Sequence, residues 1–343
     1  MWCLVAMLFA LGACGATIHG RPQTDVVFTK YSSLSRPSEV ARRSLPPVAY
    51  RRIEEDLAAR NQRLADQAVD LAKEKFDIYV PSEQPPPGGY GLLVYVAPWG
   101  EPTRPKDWYP ALESHKLIFV AAQNSGNDKN VLDRRIPLAI LAYENVRARF
   151  PLNSQRVFIA GFSGGSRVAG MVALAYPDVF RGVIMNAGSD AIDGSVQGEG
   201  NFKPSAELFR AFQRSRLVYV TGEEDPDHVQ QDKVSRESMR DNCVLDIRDV
   251  VEPHVAHRAV DGTVLDRALD ALDAPASVDA DELAHCNERV ESRVTAALGK
   301  VSAAIAHGDH EEARTQLMAI DARYGGLAAP RSLELYAKLS AKK

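Results

Sequence analysis

Gly161-Phe162-Ser163-Gly164-Gly165 sets one hydroxyl among small residues at the end of an apolar run, Val157 to Ala160. A serine in a Gly-x-Ser-x-Gly turn is placed for acyl-transfer chemistry when a strand leads in, a helix leads out and the serine backbone is held strained. Gly161 and Gly165 permit the tight crossing. The N–H of Gly164 would then lie at a helix N-terminus, where it can stabilise developing negative charge. The hydroxyl alone is a poor nucleophile. It needs a base to take its proton and a carboxylate to orient that base.

Acids and imidazoles follow Ser163. Asp225 lies just beyond the apolar run Leu217 to Val220 and the turn at Gly222, with Glu223, Glu224 and Asp227 as neighbours that spacing alone does not separate from it. His285, His307 and His310 fall in helical C-terminal segments, and His228 stands close to the acidic loop itself. Pro253-His254-Val255-Ala256-His257 follows the last strand pattern and precedes a helix, which makes His257 the expected base and His254 the alternative. No Cys-x-x-Cys or His-x-x-x-His spacing marks a zinc site, and neither a metal nor a cofactor is expected.

These residues need a scaffold that brings strand ends together. Between Phe76 and Leu272 short apolar runs alternate with helical patterns: strands over 76–80, 92–96, 117–120, 156–160, 182–185, 217–220 and 244–247. Short buried strands alternating with helices imply an α/β fold, a mostly parallel sheet with helices on both faces. A helical pattern over 49–72 precedes them, and after Pro275 three helices, 278–306, 311–324 and 332–339, form a small C-terminal appendage. The expected division is 1–14 signal, 15–46 tether, 47–275 main domain and 276–343 appendage. The chain has 343 residues, 45% hydrophobic and 25% charged, with net charge −4. That balance builds a core and leaves no basic footprint for nucleic acid.

The region from about Phe76 to Leu272 resembles the α/β-hydrolases, specifically secreted esterases related to polyhydroxybutyrate depolymerases and feruloyl esterases. In that fold acid and then histidine follow the serine, so the resemblance implies Ser163 as nucleophile, Asp225 as acid and His257 as base. Two motifs depart from the group. His254 and Ala256 replace the glycines of its Pro-Gly-x-Gly-His stretch, and its His-Gly oxyanion strand end here reads Ala97-Pro98-Trp99-Gly100. The oxyanion hole implied is Gly164 with the Trp99–Gly100 loop. The implied activity is hydrolysis of a small-molecule or polymeric ester, with Asn124, Asn127 and Asn186 as substrate contacts and the loop from Ser189 to Phe202 as a flap. A peptidase reading is weaker because Ser166, not glycine, follows Gly165. The altered motifs leave a non-catalytic binding protein as the alternative.

Met1 to Ala13 is uncharged and apolar but shorter than the roughly 20 residues that span a bilayer. Leu11-Gly12-Ala13-Cys14 resembles a bacterial lipobox, although no Lys or Arg precedes the apolar run. It implies export, lipidation of Cys14 and attachment to a cell-envelope membrane through the lipid alone. Cys243 and Cys286 then remain as an expected disulfide, closing a loop for which roughly 3–4 kcal/mol is the entropic contribution. Gly308 to Arg314 is faintly like one tetratricopeptide unit, so the C-terminal helices are also a possible site for a protein partner. Expressed in a bacterial host, the mature chain should begin at a diacylated Cys14 by mass spectrometry. An uncleaved chain with an unmodified Cys14 would contradict the export reading.

Overall fold

Aliphatic and aromatic runs too short for helices pair side by side in the computed structural model, which describes residues 19–102, 106–192, 195–196, 199–201 and 203–341. In chain order the strands are β1 (Gln23–Val26), β2 (Phe76–Tyr79), β3 (Tyr90–Val96), β4 (Leu117–Ala122), β5 (Leu152–Phe162), β6 (Gly182–Asn186), β7 (Ser195–Val196), β8 (Glu199–Asn201), β9 (Arg216–Gly222) and β10 (Ile247–Glu252). Strands β7 and β8 make a separate ribbon. The other eight form one sheet in the order β1-β2-β4-β3-β5-β6-β9-β10, with β1 and β2 antiparallel to their neighbours and the remainder parallel. This is the α/β-hydrolase fold.

The helices are α1 (Pro37–Ser44), α2 (Pro47–Ala59), α3 (Trp108–Ser114), α4 (Ile136–Arg149), α5 (Gly164–Ala175), α6 (Ala206–Phe212), α7 (Pro226–Asp241), α8 (Gly262–Asp273), α9 (Ala280–His307), α10 (His310–Tyr324) and α11 (Arg331–Ser340). Alternate strand residues face opposite ways. Leu92, Val94 and Val96 of β3 join one core with α4, α5 and, behind them, α9 to α11. Leu93 and Tyr95 join the other with α3 and α8. The C-terminal helices therefore share the main core. Cys243 and Cys286 are disulfide-bonded with Cα atoms 5.8 Å apart, which ties α9 to the turn before β10. Asp321 of α10 accepts the first N–H groups of α2, from Val48 at 3.1 Å and Ala49 at 3.0 Å. Among the described residues no helix is long and apolar enough to cross a membrane.

Three expectations change. The tether expected over 15–46 is folded from residue 19 onward: β1 is the outer strand of the sheet, Phe28 is fully buried and stacks on Phe76, and α1 packs on the body. Polar Gln23 and Asp25 hide such an edge strand from a hydrophobic pattern. The helix expected to reach residue 72 ends at Ala59, because Asn61 turns left-handed at φ 53° and Gln62 folds back onto the Leu57 carbonyl. The strand expected at 244–247 starts at Ile247 instead. Val244 is bonded to the end of α7 through the Met239 carbonyl and is buried, so pairing begins one turn later. The expected signal, residues 1–14 with Cys14, lies outside the described residues.

One helix pair bears directly on the expected base. The loop carrying His257 runs straight into α8, and α3 grips both ends of that helix. Trp108 Nε1 donates to the Val260 carbonyl at 2.9 Å, and Gly262 N donates to Asp107 Oδ2 at 2.8 Å. At the far end His115, which caps α3, meets Asp273 at 3.0 Å and Asp266 at 3.2 Å, while Arg156 holds Asp273 with two bonds. The Asp273 hydrogen bond and the charges of Asp273, Asp266 and Asp270 raise the His115 pKa against its burial. Burial pushes Asp273 up, but His115 and Arg156 outweigh it and hold it at about 2. A histidine raised on folding stabilises fully below its unfolded value near 6.5 and loses that contribution as pH climbs through the folded value. His115→Ala should therefore destabilise more at about pH 6 than at about pH 9 in urea unfolding. An equal deficit at both would remove the protonated histidine from the account.

Candidate active site

Strand β5 ends at Phe162 and α5 begins at Gly164, so Ser163 alone makes the corner, at φ 53° and ψ −124°. Its N–H donates to the Asn186 carbonyl of the neighbouring strand at 2.8 Å. Glycine is needed on both sides for steric reasons. A Cβ on Gly165 would lie 2.0 Å from the Val96 carbonyl oxygen, and one on Gly161 would lie 2.4 Å from Gly165. Strand β3, β5 and the start of α5 thus touch through bare backbone. The first N–H groups of α5, Gly164 among them, have no partner within the helix and give that end a positive field.

Strand β9 delivers Asp225 to the same edge. It is the residue capping α7, yet its carboxylate takes no cap hydrogen bond from the backbone N–H groups of that helix, and Pro226 has no N–H to offer. Both oxygens go instead to imidazoles: Oδ1 to His228 Nδ1 at 2.8 Å and Oδ2 to His257 Nδ1 at 2.7 Å. Burial raises the Asp225 pKa, but the hydrogen bonds and charges of His228 and His257 more than offset it and hold the group below the usual carboxylate value. An ionised carboxylate only accepts, so His257 donates from Nδ1 and turns its Nε2 lone pair outward. Nε2 lies 3.1 Å from Ser163 Oγ. Of the acids that spacing left open, Asp225 is the one bonded to His257.

Two rings pack on His257. Phe162 lies 4.8 Å away centroid to centroid, and His228 stacks at 4.3 Å with planes 17° apart. His254, the alternative base, points to solvent with 88% of its side chain exposed and adopts φ 58°, the left-handed conformation that glycine takes most readily. His228, set aside on sequence for its closeness to the acid loop, belongs to the site. Asp225, His228 and His257 each bring a ligand-capable atom within 4.8 Å of the others. The two imidazoles meet different oxygens of Asp225 through their Nδ1 atoms.

The Trp99–Gly100 loop, expected to serve an oxyanion, runs on from β3, whose last residue Val96 lies against Gly165. The Pro98 carbonyl accepts from Asn127 N at 2.8 Å and the Gly100 carbonyl from Asn124 N at 2.6 Å, which laces residues 98–100 to residues 124–127. Trp99 is 36% exposed, with its ring 5.8 Å from that of Phe162. The Asn127 amide lies against Gly164, where an added Cβ would come within 2.3 Å of its Oδ1. Asn124 is exposed at φ 50° and meets the loop through its backbone. Asn186, expected to touch substrate, is buried. Its Nδ2 donates to the Val220 carbonyl at 3.1 Å and its Oδ1 accepts from Val260 N at 3.0 Å, so it fastens the base loop to β6 and β9. Much of the expected flap at 189–202 lies outside the described residues.

A fully buried arginine that sequence reading missed holds these pieces together. Arg135 Nε donates to the Ser125 carbonyl at 2.9 Å, one terminal nitrogen to Ala97 at 2.9 Å and the other to Gly164 at 3.4 Å. Burial drags its pKa down to about 10, with the charge of Asp128 opposing, so it stays protonated near neutrality.

No protein-family model matches the chain, and no curated protein sequence matches it. Among solved structures it is similar to an S-formylglutathione hydrolase from Staphylococcus aureus, at 14% identity and a TM-score of 0.44 over 58% of this chain and 92% of that one. It is similar to a ferulic acid esterase at 16% identity and a TM-score of 0.43, over 58% and 90%. It is also similar to dipeptidyl peptidase 4 from Porphyromonas gingivalis at 15% identity and a TM-score of 0.41, over 59% of this chain and only 34% of that protein.

Arg135→Met removes donors from three carbonyls in one buried place. Hydrogen bonds to charged groups are worth about 1.5–3 kcal/mol each, and buried acceptors left bare cost more. The variant should lose about 3 kcal/mol or more in urea unfolding, with Arg135→Lys between it and the parent. Parent-like stability in Arg135→Met would show that the three carbonyls do not depend on it.

Proposed function

We propose that the chain is a serine hydrolase that cleaves carboxylic esters through an acyl-enzyme. One observation carries the reading: Ser163 Oγ, His257 and Asp225 form a continuous hydrogen-bonded chain ending on a strained strand-to-helix corner. In this scheme His257 Nε2 takes the Ser163 proton as Oγ attacks the ester carbonyl. Asp225 holds the imidazole and balances the imidazolium that forms. The oxyanion is met by the Gly164 N–H and by a backbone N–H of the Trp99–Gly100 loop. His257 then gives its proton to the departing alcohol, and a water activated by the same imidazole releases the acid. No step calls for a cofactor.

The half-exposed serine and the exposed Trp99 favour an ester presented at the surface, from a small molecule or a polymer, with Asn127 at the edge of the site. We place the protein in the bacterial cell envelope, held to the membrane by lipid on Cys14. The Cys243–Cys286 bond supports an oxidising compartment. A partner docked on the C-terminal helices belongs to the same proposal.

A fluorophosphonate probe should label the parent and not Ser163→Ala, and short-acyl ester hydrolysis should fall by about 10⁴-fold or more in that variant. His257→Ala should fall to a similar residual rate, because members of a triad act as a unit. Unchanged hydrolysis by folded Ser163→Ala would overturn the role of Ser163. A parent that neither labels nor hydrolyses would favour a hydrolase-fold binding protein, the reading that Trp99 at the oxyanion strand end also supports.

A further inference from the structure

We infer that His228 is a positioning residue for the proposed triad: its Nδ1–H holds the second oxygen of Asp225 and its ring walls the base. The inference rests on the serine-hydrolase reading for its kinetic meaning and on geometry for the rest.

Asp225 has the position of a helix cap without the bonds of one. Such a residue ordinarily turns its oxygen to the N–H groups of the first helical turn. Here the carboxylate reaches His257 through Oδ2, and no cap bond to the helix backbone restrains it. With Oδ2 alone engaged it could rotate about Cβ–Cγ and break the line to Ser163. The third residue of α7, His228, supplies the missing restraint at 2.8 Å from Oδ1. The spacing of three along a helix brings its side chain back over the cap. Two donors on two oxygens leave the carboxylate one orientation.

The ring has a second effect. The base is 38% exposed along its side chain, so one face would open to water without a neighbour. The His228 ring stacks on it at 4.3 Å, and the Phe162 ring packs on it at 4.8 Å. Triads themselves require one acid and one base. The second imidazole on the same acid comes from the first turn of α7.

Three variants separate the two effects. His228→Asn keeps a donor where Nδ1 stood and loses the ring, His228→Phe keeps a ring and loses the donor, and His228→Ala loses both. His228→Ala should lower kcat for a short-acyl ester by about tenfold or more, a fraction of the 10²–10⁴ contributed by a positioned base, with KM changed less than about twofold. His228→Asn should recover most of kcat and His228→Phe little of it. A second readout needs no turnover: the downfield imidazole N–H proton resonance of the His257–Asp225 bond should be lost or broadened in His228→Ala and restored in His228→Asn. An inactive parent would defeat the esterase reading while this resonance still decides the placement of His228. Parent-like kcat and an unchanged His257 resonance in His228→Ala would overturn the inference. So would an equal loss of kcat in His228→Asn and His228→Ala with that resonance intact, because the ring would then act only by packing.

Discussion

A residue with a Cβ leaves φ 53° and ψ −124° unless its surroundings forbid every exit, and Ser163 is kept there. Holding such a backbone costs about 1–3 kcal/mol. The surroundings that offset it are concrete. The N–H of Ser163 is spent on the Asn186 carbonyl, and the hydroxyl of Ser166 one turn on is spent on the Gly188 carbonyl. Gly165 presses against the backbone of β3, and Arg135 clamps the Gly164 carbonyl to the two loops that flank it. The Asn186 and Gly188 carbonyls belong to the end of β6 and the residues after it, Gly165 meets the end of β3, and Arg135 stands just before α4. The corner therefore exists only when β3, β5 and β6 are already in register, which makes the site a product of the whole sheet.

The acid side is built on a different economy of partners. Main-chain groups fix the serine, whereas side chains fix Asp225. Buried as it is, an ionised carboxylate there would be costly unless both oxygens found strong donors. Two imidazoles supply them. This arrangement concentrates the positioning of His257 into one carboxylate and its other partner His228, while Trp108 of α3 and Asp107 before it hold Val260 and Gly262, a few residues after His257.

What could be read from the sequence divides along the same line. Ser163, Asp225 and His257 are legible because each stands at a strand end or loop whose elements announce themselves through apolar runs, glycine and proline. Arg135 is not. Beside Asp133 and Arg134 it reads as part of a solvated face, and Arg134 does pair with a carboxylate, Glu74. Arg135 instead binds carbonyls 10, 29 and 38 residues away, and a carbonyl carries no residue-type signal. Asn186 misled for a related reason: an amide at a strand end looks ready for a ligand until the neighbouring strand and the base loop are known to use both of its ends. His228 had a signal that was misweighed. Closeness in sequence to an acid counts against facing it in an extended loop, but three residues along a helix it brings the two side chains together.

The C-terminal helices illustrate how far a local pattern constrains function. A tetratricopeptide unit binds partners in a groove made by stacked repeats, each lending an apolar face to the next. On α9 the apolar positions Cys286, Val290, Val294, Leu298 and Val301 recur at three- and four-residue steps and are all buried in the main core. Ala313 and Leu317 of α10 and Leu335 and Leu339 of α11 enter the same core, and Tyr336 reaches Glu55 of α2. Their apolar stripes are thus consumed by the chain's own sheet-covering layer. What remains outward on α9 is mostly polar with a few alanines, Glu291 and Thr295 among it, and Arg331 of α11 already bonds to both. A partner on this side would have to recognise that largely polar surface, because the apolar face that a repeat would share is already buried in the main core.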